Sequence, residues 1–491
     1  MRPLLCVTLL TVGCATTSRP PASAKPSAPA PVVAWKRAPV PEPLAPMPRV
    51  RPTVTTVTLA NGLRVVVVED HRAALVKLRL FFATGSAAES DTSAGATALS
   101  LALLGDRFER RDDTGELIDP RERSARYLTL LEGAQLTHGV TPDLAWFGLD
   151  GYAQDTAKLL ARLDKLITER RKGEDSFKAR TQATVDLLNE LEHTDGAVLD
   201  QYLSQLAFGT DHVYARATFG TARSLDVLGI EDVIARQNSL LTPRGTTLLI
   251  AGDVDPAAVV SRARATFGDW RGGEPTRAKI SPPRVAKRKS VVFLPRTPSR
   301  NTLVCLTRPL TDLKVRPEAS QLAVEVVTGR INAELREKLG ITYDVVSQVL
   351  ERRVASALLI CTRVRSTEAT LATSLMFDAF SSLVARPPDL EEFERARAQL
   401  VTRRDAQQDE LNGVVEAWRH AVAMGLEAPQ DELVGLRAVT LADVALAAKA
   451  IAARETLQVI ISGEKAMAEA TAQSNQLGAL QIPQLRRVEP D

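Results

Sequence analysis

The sequence predicts an α+β protein of two homologous domains, each a mostly antiparallel sheet packed with helices, and three observations lead there. Two stretches far apart in the chain match in register: S-L-D-V-L-G-I-E-D-V precedes T-T-L-L-I-A-G, and G-L-R-A-V-T-L-A-D-V precedes T-L-Q-V-I-I-S-G. Asp232 to Gly252 and Asp443 to Gly463 are both twenty residues, and Leu225 and Leu436 each lie seven before the aspartate, so one plan is used twice. Asn61–Gly62 sits between two strand-like runs, the strongest short hairpin signal because both positions tolerate positive φ. Leu159, Leu160, Leu163, Leu166 and Ile167 recur at helical spacing with Lys158, Arg162 and Lys165 outside, so strands and helices occur in the same half.

The chain has 491 residues, room for two to four domains at roughly 100–200 residues each. Hydrophobic residues make up 45% and charged ones 25%, enough apolar material for large cores. A net charge of +3 and only 4% aromatics leave neither the basic footprint nor the stacking platform that nucleic acid requires, so no nucleic-acid partner is expected.

The opening M-R-P-L-L-C-V-T-L-L-T-V-G-C reads as an export signal. Arg2 is the positive end and Leu4 to Val12 the apolar run, too short to span a membrane. Gly13–Cys14 ends it as a bacterial lipoprotein signal does, making residues 1–14 the signal and Cys14 the lipidation site. Leu10 lies one place further from the cysteine than is usual, with Thr11 in its stead; an ordinary cleaved signal with an incidental cysteine is the alternative. Alanine rather than aspartate at residue 15 points to the outer membrane facing the periplasm. Residues 15–52 are rich in Pro, Ala and Ser, a composition that stays extended and serves as a tether.

The N-terminal domain is read over residues 53–270. It begins with the hairpin V-T-T-V-T-L-A, N-G, L-R-V-V-V-V and the strand Val76–Thr84, followed by the turn Gly85–Ser86 and the acidic Glu89. Ser93 to Leu104 is a short buried helix, with Thr92 or Ser93 available as its N-cap. Gly105–Arg126 is a solvated charged loop, Tyr127–Glu132 a short helix, and Ala134–His138 and Ala145–Leu149 pair around Pro142–Asp143. Helix then runs from about Ser176 to Ala207, and Asp232–Ser239 and the strand Thr246–Ile250 close the half. Residues 271–289, with Gly, Pro and a basic excess, form a solvated linker.

The C-terminal domain is read over residues 290–480, with a tail at 481–491. It contains the strand Thr302–Thr307, a long helix around Glu318–Leu339, and the strands Tyr343–Leu350 and Ala355–Val364. Asp389 and Glu392 form a capping box at a later helix start. Cys305 and Cys361 fall in strands and are read as two buried thiols, the alternative being a pair in an oxidising compartment.

Strand, glycine turn, Glu89 and a Gly-led helix resemble the opening of the insulinase/pitrilysin family of zinc peptidases. The resemblance extends through F-F-A-T-G-S-A-A-E, L-E-G-A-Q-L-T-H-G-V-T-P-D, F-G-T-D-H-V-Y-A-R-A-T-F-G-T and, most specifically, I-N-A-E-L-R-E-K-L-G-I-T-Y-D-V. In that family the helix carries H-x-x-E-H, two zinc-binding histidines and a glutamate that polarises the metal-bound water. Aligning the leading glycine with Gly95 puts those roles on Ala98, Leu101 and Ala102, none of which binds a metal or moves a proton. No catalytic residue and no metal site is therefore expected in this chain.

The resemblance also implies a substrate-contacting arginine and tyrosine seven residues apart, here Arg336 and Tyr343, with Gly340 as the helix stop. A guanidinium and a phenol can each donate to a peptide carbonyl or to the oxyanion developing on it. His71, His138, His193, His212 and His420 offer no zinc spacing. Glu190, Glu192 and His193 read as a solvated charge run, and His212 as a structural turn residue. Bacterial two-domain members, like the mitochondrial processing peptidase they resemble, work as dimers, some with zinc on one chain and the Arg/Tyr pair on the other. The implied role is a non-catalytic subunit of a heterodimer, supplying Arg336 and Tyr343 to a zinc-bearing homologous partner that cleaves peptides or unfolded proteins. The alternative is a pseudo-enzyme scaffold or peptide-binding lipoprotein without a peptidase partner.

Overall fold

The computed structural model describes residues 52–481 except 105–132, 169–172, 193–194, 276, 285–290, 297–298, 312, 409, 454–455 and 478–479. The signal, Cys14, nearly all of the tether, the loop Gly105–Arg126, the helix Tyr127–Glu132, His193 and all but the first residue of the tail lie outside the described residues.

Two six-stranded sheets form the frame. The first contains β1 (Thr53–Thr58), β2 (Arg64–Glu69), β3 (Leu75–Phe82), β4 (Gln135–Val140), β5 (Ala145–Tyr152) and β6 (Thr246–Gly252), in the order β1-β2-β6-β3-β5-β4. The second contains β7 (Val291–Pro295), β8 (Asn301–Pro309), β9 (Thr342–Arg352), β10 (Ala355–Arg365), β11 (Gln458–Gly463) and β12 (Leu480–Gln481), in the order β12-β7-β11-β8-β10-β9. Leaving out β1 and β12, the two orders are the same, and so are the directions: β2–β6 and β7–β11 are parallel, the rest antiparallel. The outermost strands differ, since β1 runs antiparallel to β2 whereas β12 runs parallel to β7.

The matched sequence ends occupy equivalent places. Leu225 and Leu436 are buried in the short helices Ala222–Val227 and Glu432–Arg437. Asp232 and Asp443 lie in the first turns of the helices Ile230–Leu240 and Leu441–Ile451, where their carboxylates accept the N–H groups of Gly229 and Thr440, both at 2.9 Å. A carboxylate there satisfies an orphan donor and complements the helix dipole. The box at Asp389 and Glu392 is reciprocal, at 2.9 and 3.3 Å, and Glu392 also binds the buried Arg330 through two nitrogens at 2.8 and 2.7 Å.

The inner strands of each sheet are buried on both faces, which explains the unbroken V-V-V-V of β2. Val65 and Val67 point to a core shared with the helices Thr156–Thr168 and Pro256–Phe267. Val66 and Val68 point the other way, against Val415, Trp418, Val422 and Ala423 of the helix Leu411–Met424, which belongs to the second half. The second sheet repeats the arrangement. One face packs on its own helices, Pro317–Asn332, Ala369–Ala385 and Leu441–Ile451. The other receives Tyr202, Leu203, Ala207 and Phe208 from the first half's helix Asp195–Phe208. Each half covers the outer face of the other's sheet.

Two expectations need correction. Cys305 and Cys361 are not separate thiols but a disulfide, because the β8–β10 register places them directly opposite with Cα atoms 4.1 Å apart. The described residues of the 271–284 segment form no helix or strand, yet they are not simply solvated: Ala278 and Ile280 pack on the core between the second sheet and the first half's helix.

Trp418 is 4% exposed, so Trp418→Ala should lower the unfolding free energy by about 3–5 kcal/mol in denaturant titrations. Replacing both Cys305 and Cys361 by alanine should cost about 2–4 kcal/mol through the loop the bridge closes, and thiol titration of the denatured, unreduced chain should find neither cysteine free.

Candidate functional site

The helix that would hold a metal is shorter than the sequence suggests, spanning Ala96–Ala102 with every residue buried. Its N-cap is Gly95, not Thr92 or Ser93. Gly95 has φ of +98°, and a Cβ there would meet the carbonyl oxygen of Phe219 at 2.9 Å. Ser93 is engaged one turn earlier, exchanging backbone-to-hydroxyl bonds with Ser90 at 2.9 and 3.2 Å. The orphan donors of the helix are met from outside: the Glu89 carboxylate accepts the N–H of Gly95 at 3.0 Å and of Thr97 at 2.6 Å.

Glu89 belongs to a buried network. Arg236 donates to Thr97 Oγ1 at 2.8 Å and to the Gly85 carbonyl at 2.9 Å, and Arg216 donates to the Glu89 carbonyl at 2.6 Å. Burial pushes the Glu89 carboxyl above its ordinary range, against the bonds from Thr97 and Gly95 and the nearby Arg236 charge. Burial likewise lowers Arg236, with Glu89 opposing. The network fixes the helix without presenting a base to solvent.

Ala98, Leu101 and Ala102 are 9%, 0% and 9% exposed, and Ala98 and Leu101 are part of the first core. Methyl and isobutyl groups donate no electron pair, so these positions do not fit zinc. No group of three or more His, Cys, Asp or Glu able to hold a metal occurs among the described residues. Glu190 is exposed on the helix Glu174–Glu192, and the Glu192 side chain lies outside the described residues. His71 bridges Glu69 and Asp253 at 2.9 and 2.5 Å, and those two carboxylates raise its pKa. His138 stacks on Phe147, and His420 stands 3.5 Å from Glu351. His212 caps a turn: Nδ1 accepts the Tyr214 N–H at 3.2 Å, so Nε2 carries the proton and donates to the Ser281 carbonyl at 2.9 Å.

Arg336 and Tyr343 have the opposite environment. The long helix Pro317–Asn332 widens into a π-turn over Ala333–Lys338, with Leu335 fully buried and Arg336 outside. Gly340, at φ +63°, stops it, and the Ile341 N–H closes back on the Leu335 carbonyl at 2.9 Å. Arg336 makes no hydrogen bond or ion pair among the described residues. Tyr343, the second residue of the edge strand β9, is 94% exposed. Both leave the same helix-to-strand junction without bonding to each other.

A second group was not legible as a site. Asp143, 3% exposed in the β4–β5 turn, accepts the Tyr214 hydroxyl at 2.9 Å and the Arg353 backbone N–H at 3.1 Å. The Arg353 guanidinium donates to the carbonyls of Asp143 at 3.1 Å and Ala423 at 3.0 Å. Burial and then the Asp143 charge hold the Tyr214 phenol well above its usual pKa. The only sequence signal was P-D as a turn and H-V-Y as a family motif; the partnership depends on contacts across the two halves.

Residues 228–400 match the peptidase M16 inactive domain. No curated protein matches the chain. Among solved structures, the peptidase M16 inactive domain from Pseudomonas fluorescens is similar at 20% identity and TM-score 0.72, covering 84% of this chain and 98% of that one. A protease from Helicobacter pylori aligns at 14% identity and TM-score 0.71, over 84% and 99% of the two chains. The periplasmic protease PqqL from Escherichia coli aligns at 11% and 0.71, over 89% of this chain and 52% of its own. These structures share the fold.

Glu89→Ala should destabilise the chain by about 2–4 kcal/mol, because it leaves the buried N–H groups of Gly95 and Thr97 without their acceptor. A carboxyl whose folded pKa lies above its unfolded value of 4.5 gains stability as pH falls through that interval. The gap between wild type and variant, read from denaturant titrations, should therefore widen on acidification from neutral.

Proposed function

Because this chain is a member of the insulinase/pitrilysin (M16) family whose helix carries none of the zinc ligands, we propose that it is the non-catalytic subunit of a two-chain peptidase. The reading is carried by one contrast. The positions that would bind metal are packed into a core, while Arg336 and Tyr343 are exposed at a helix-to-strand junction and bond to no other described residue. Neither exposed group packs on the core, and both are donors suited to a substrate backbone.

In the assembled enzyme Arg336 and Tyr343 hold the carbonyls of an extended, unfolded peptide and stabilise negative charge developing on the scissile one. Zinc enters with the homologous partner. The chain itself binds and orients, and moves no proton. Export to the periplasm on a lipid at Cys14 is part of the same reading; the Cys305–Cys361 bridge suits an oxidising compartment, and one structural neighbour is a periplasmic protease. No helix among the described residues is long and apolar enough to cross a membrane.

Copurification from membranes followed by metal analysis should find zinc only when a homologous chain with H-x-x-E-H accompanies this one. Arg336→Ala combined with Tyr343→Phe should slow peptide cleavage by that complex more than tenfold, since one oxyanion donor is worth about 10²–10³ in rate. Unchanged turnover, or a chain that always purifies without a peptidase, would replace the reading with a peptide-binding scaffold.

A further inference from the structure

The strand that carries Tyr343 does not pair regularly with its neighbour. Thr342 is opposite Val364 and Val345 is opposite Thr362, so Tyr343 and Asp344 together face Arg363 alone. This is a β-bulge, which interrupts the ladder and re-aims the bulged side chain. The equivalent pair in the first half, β4–β5, runs from Gln135–Asp150 to Val140–Ala145 without a shift. Counted from the hairpin end, that ladder stops before the place the bulge takes in β9.

Two buried hydroxyls hold it. Thr342 is 8% exposed and Thr362 2%. Thr362 Oγ1 donates to the Asp344 carbonyl at 2.9 Å, Thr342 Oγ1 lies 2.9 Å from the Arg363 carbonyl, and the two oxygens are 2.8 Å apart. With one proton each, the pair can serve both carbonyls of the bulge, Asp344 and Arg363. Asp344 and Arg363 are themselves exposed, so each hydroxyl-to-carbonyl bond is worth about 0.5–1.5 kcal/mol, and removing both hydroxyls weakens what keeps the chain in this register.

We propose that Thr342 and Thr362 are positioning residues that hold the β9 bulge and thereby fix the outward presentation of Tyr343 to a substrate peptide. The substrate part of this inference rests on the functional reading above; the positioning part does not. Neither threonine touches the peptide. Each acts through the backbone at Tyr343–Asp344.

The test uses the full chain labelled with 3-fluorotyrosine. The sequence has five tyrosines, so Tyr343 is assigned by the resonance lost in Tyr343→Phe. Thr342→Val with Thr362→Val keeps side-chain shape and removes both hydroxyls. The Tyr343 fluorine signal should split or broaden while the other four stay in place, and Thr342→Ser with Thr362→Ser should restore it. Binding of fluorescein-labelled, carboxymethylated α-lactalbumin, an unfolded probe, should weaken about tenfold in Tyr343→Ala, the scale of one well-placed hydrogen bond. It should weaken equally in the valine pair, with no further loss when the two changes are combined. A Tyr343 signal unmoved in the valine pair overturns the proposal, and self-association with that signal unmoved assigns the bulge to protection of a sheet edge instead. If the signal moves but Tyr343→Ala leaves probe binding intact, the positioning stands and the substrate-binding reading of Tyr343 fails.

Discussion

The constraint on which the structure depends is the exchange of one helix between its halves. A sheet buried on both faces needs two covers, and each half supplies only one to itself. Leu411–Met424 lies on the first sheet, and Asp195–Phe208 lies on the second. Apolar burial at roughly 25 cal/mol per Å² makes these faces expensive to expose, so neither sheet has a stable surface without the other half. The Asp143 cluster sits at this junction. It joins the β4–β5 turn to Arg353 between β9 and β10, to Tyr214, and to the end of the exchanged helix at Ala423. Burial makes those bonds matter, because water cannot replace them.

The same arrangement separates what holds the fold from what faces outward. Alanine and leucine at positions 98, 101 and 102 suit a helix whose whole surface is enclosed. Glu89 remains necessary for another reason: it feeds the donors at the start of that helix. At the Arg336–Tyr343 junction Leu335, Ile341 and Val345 pack on the second core, while Arg336 and Tyr343 stay exposed.

Much of the fold was legible because its signals are local. Leucines from Leu159 to Leu166 define a helix wherever they occur, and Asp232 and Asp443 mark helix starts by chemistry completed within three residues. Asn61–Gly62 gave the first hairpin, although Asn61 also reaches the carbonyls of Phe267 and Trp270 at 2.7 and 3.1 Å, which no local pattern could reveal. The misses are of that second kind. Ser93 has the local chemistry of a cap, but only the folded loop brings the Glu89 carboxylate to Gly95 and Thr97. Arg308 lay just beyond the predicted strand, yet it is 1% exposed and donates to the carbonyls of Ala450 and Ile451 at 2.9 and 2.8 Å. The cysteine pair required register, which strand prediction does not supply. Arg336 and Tyr343 stand out only through family likeness, since a helix-end arginine and a strand tyrosine are ordinary by composition.

Joining the two halves through one backbone changes the kinetics of their encounter. An association between tethered surfaces proceeds at an effective concentration set by the connecting segment rather than by the amount of protein. Dilution therefore cannot dissociate this pair. A proteolytic nick within 271–284 would make it bimolecular, and only then would its persistence obey mass action.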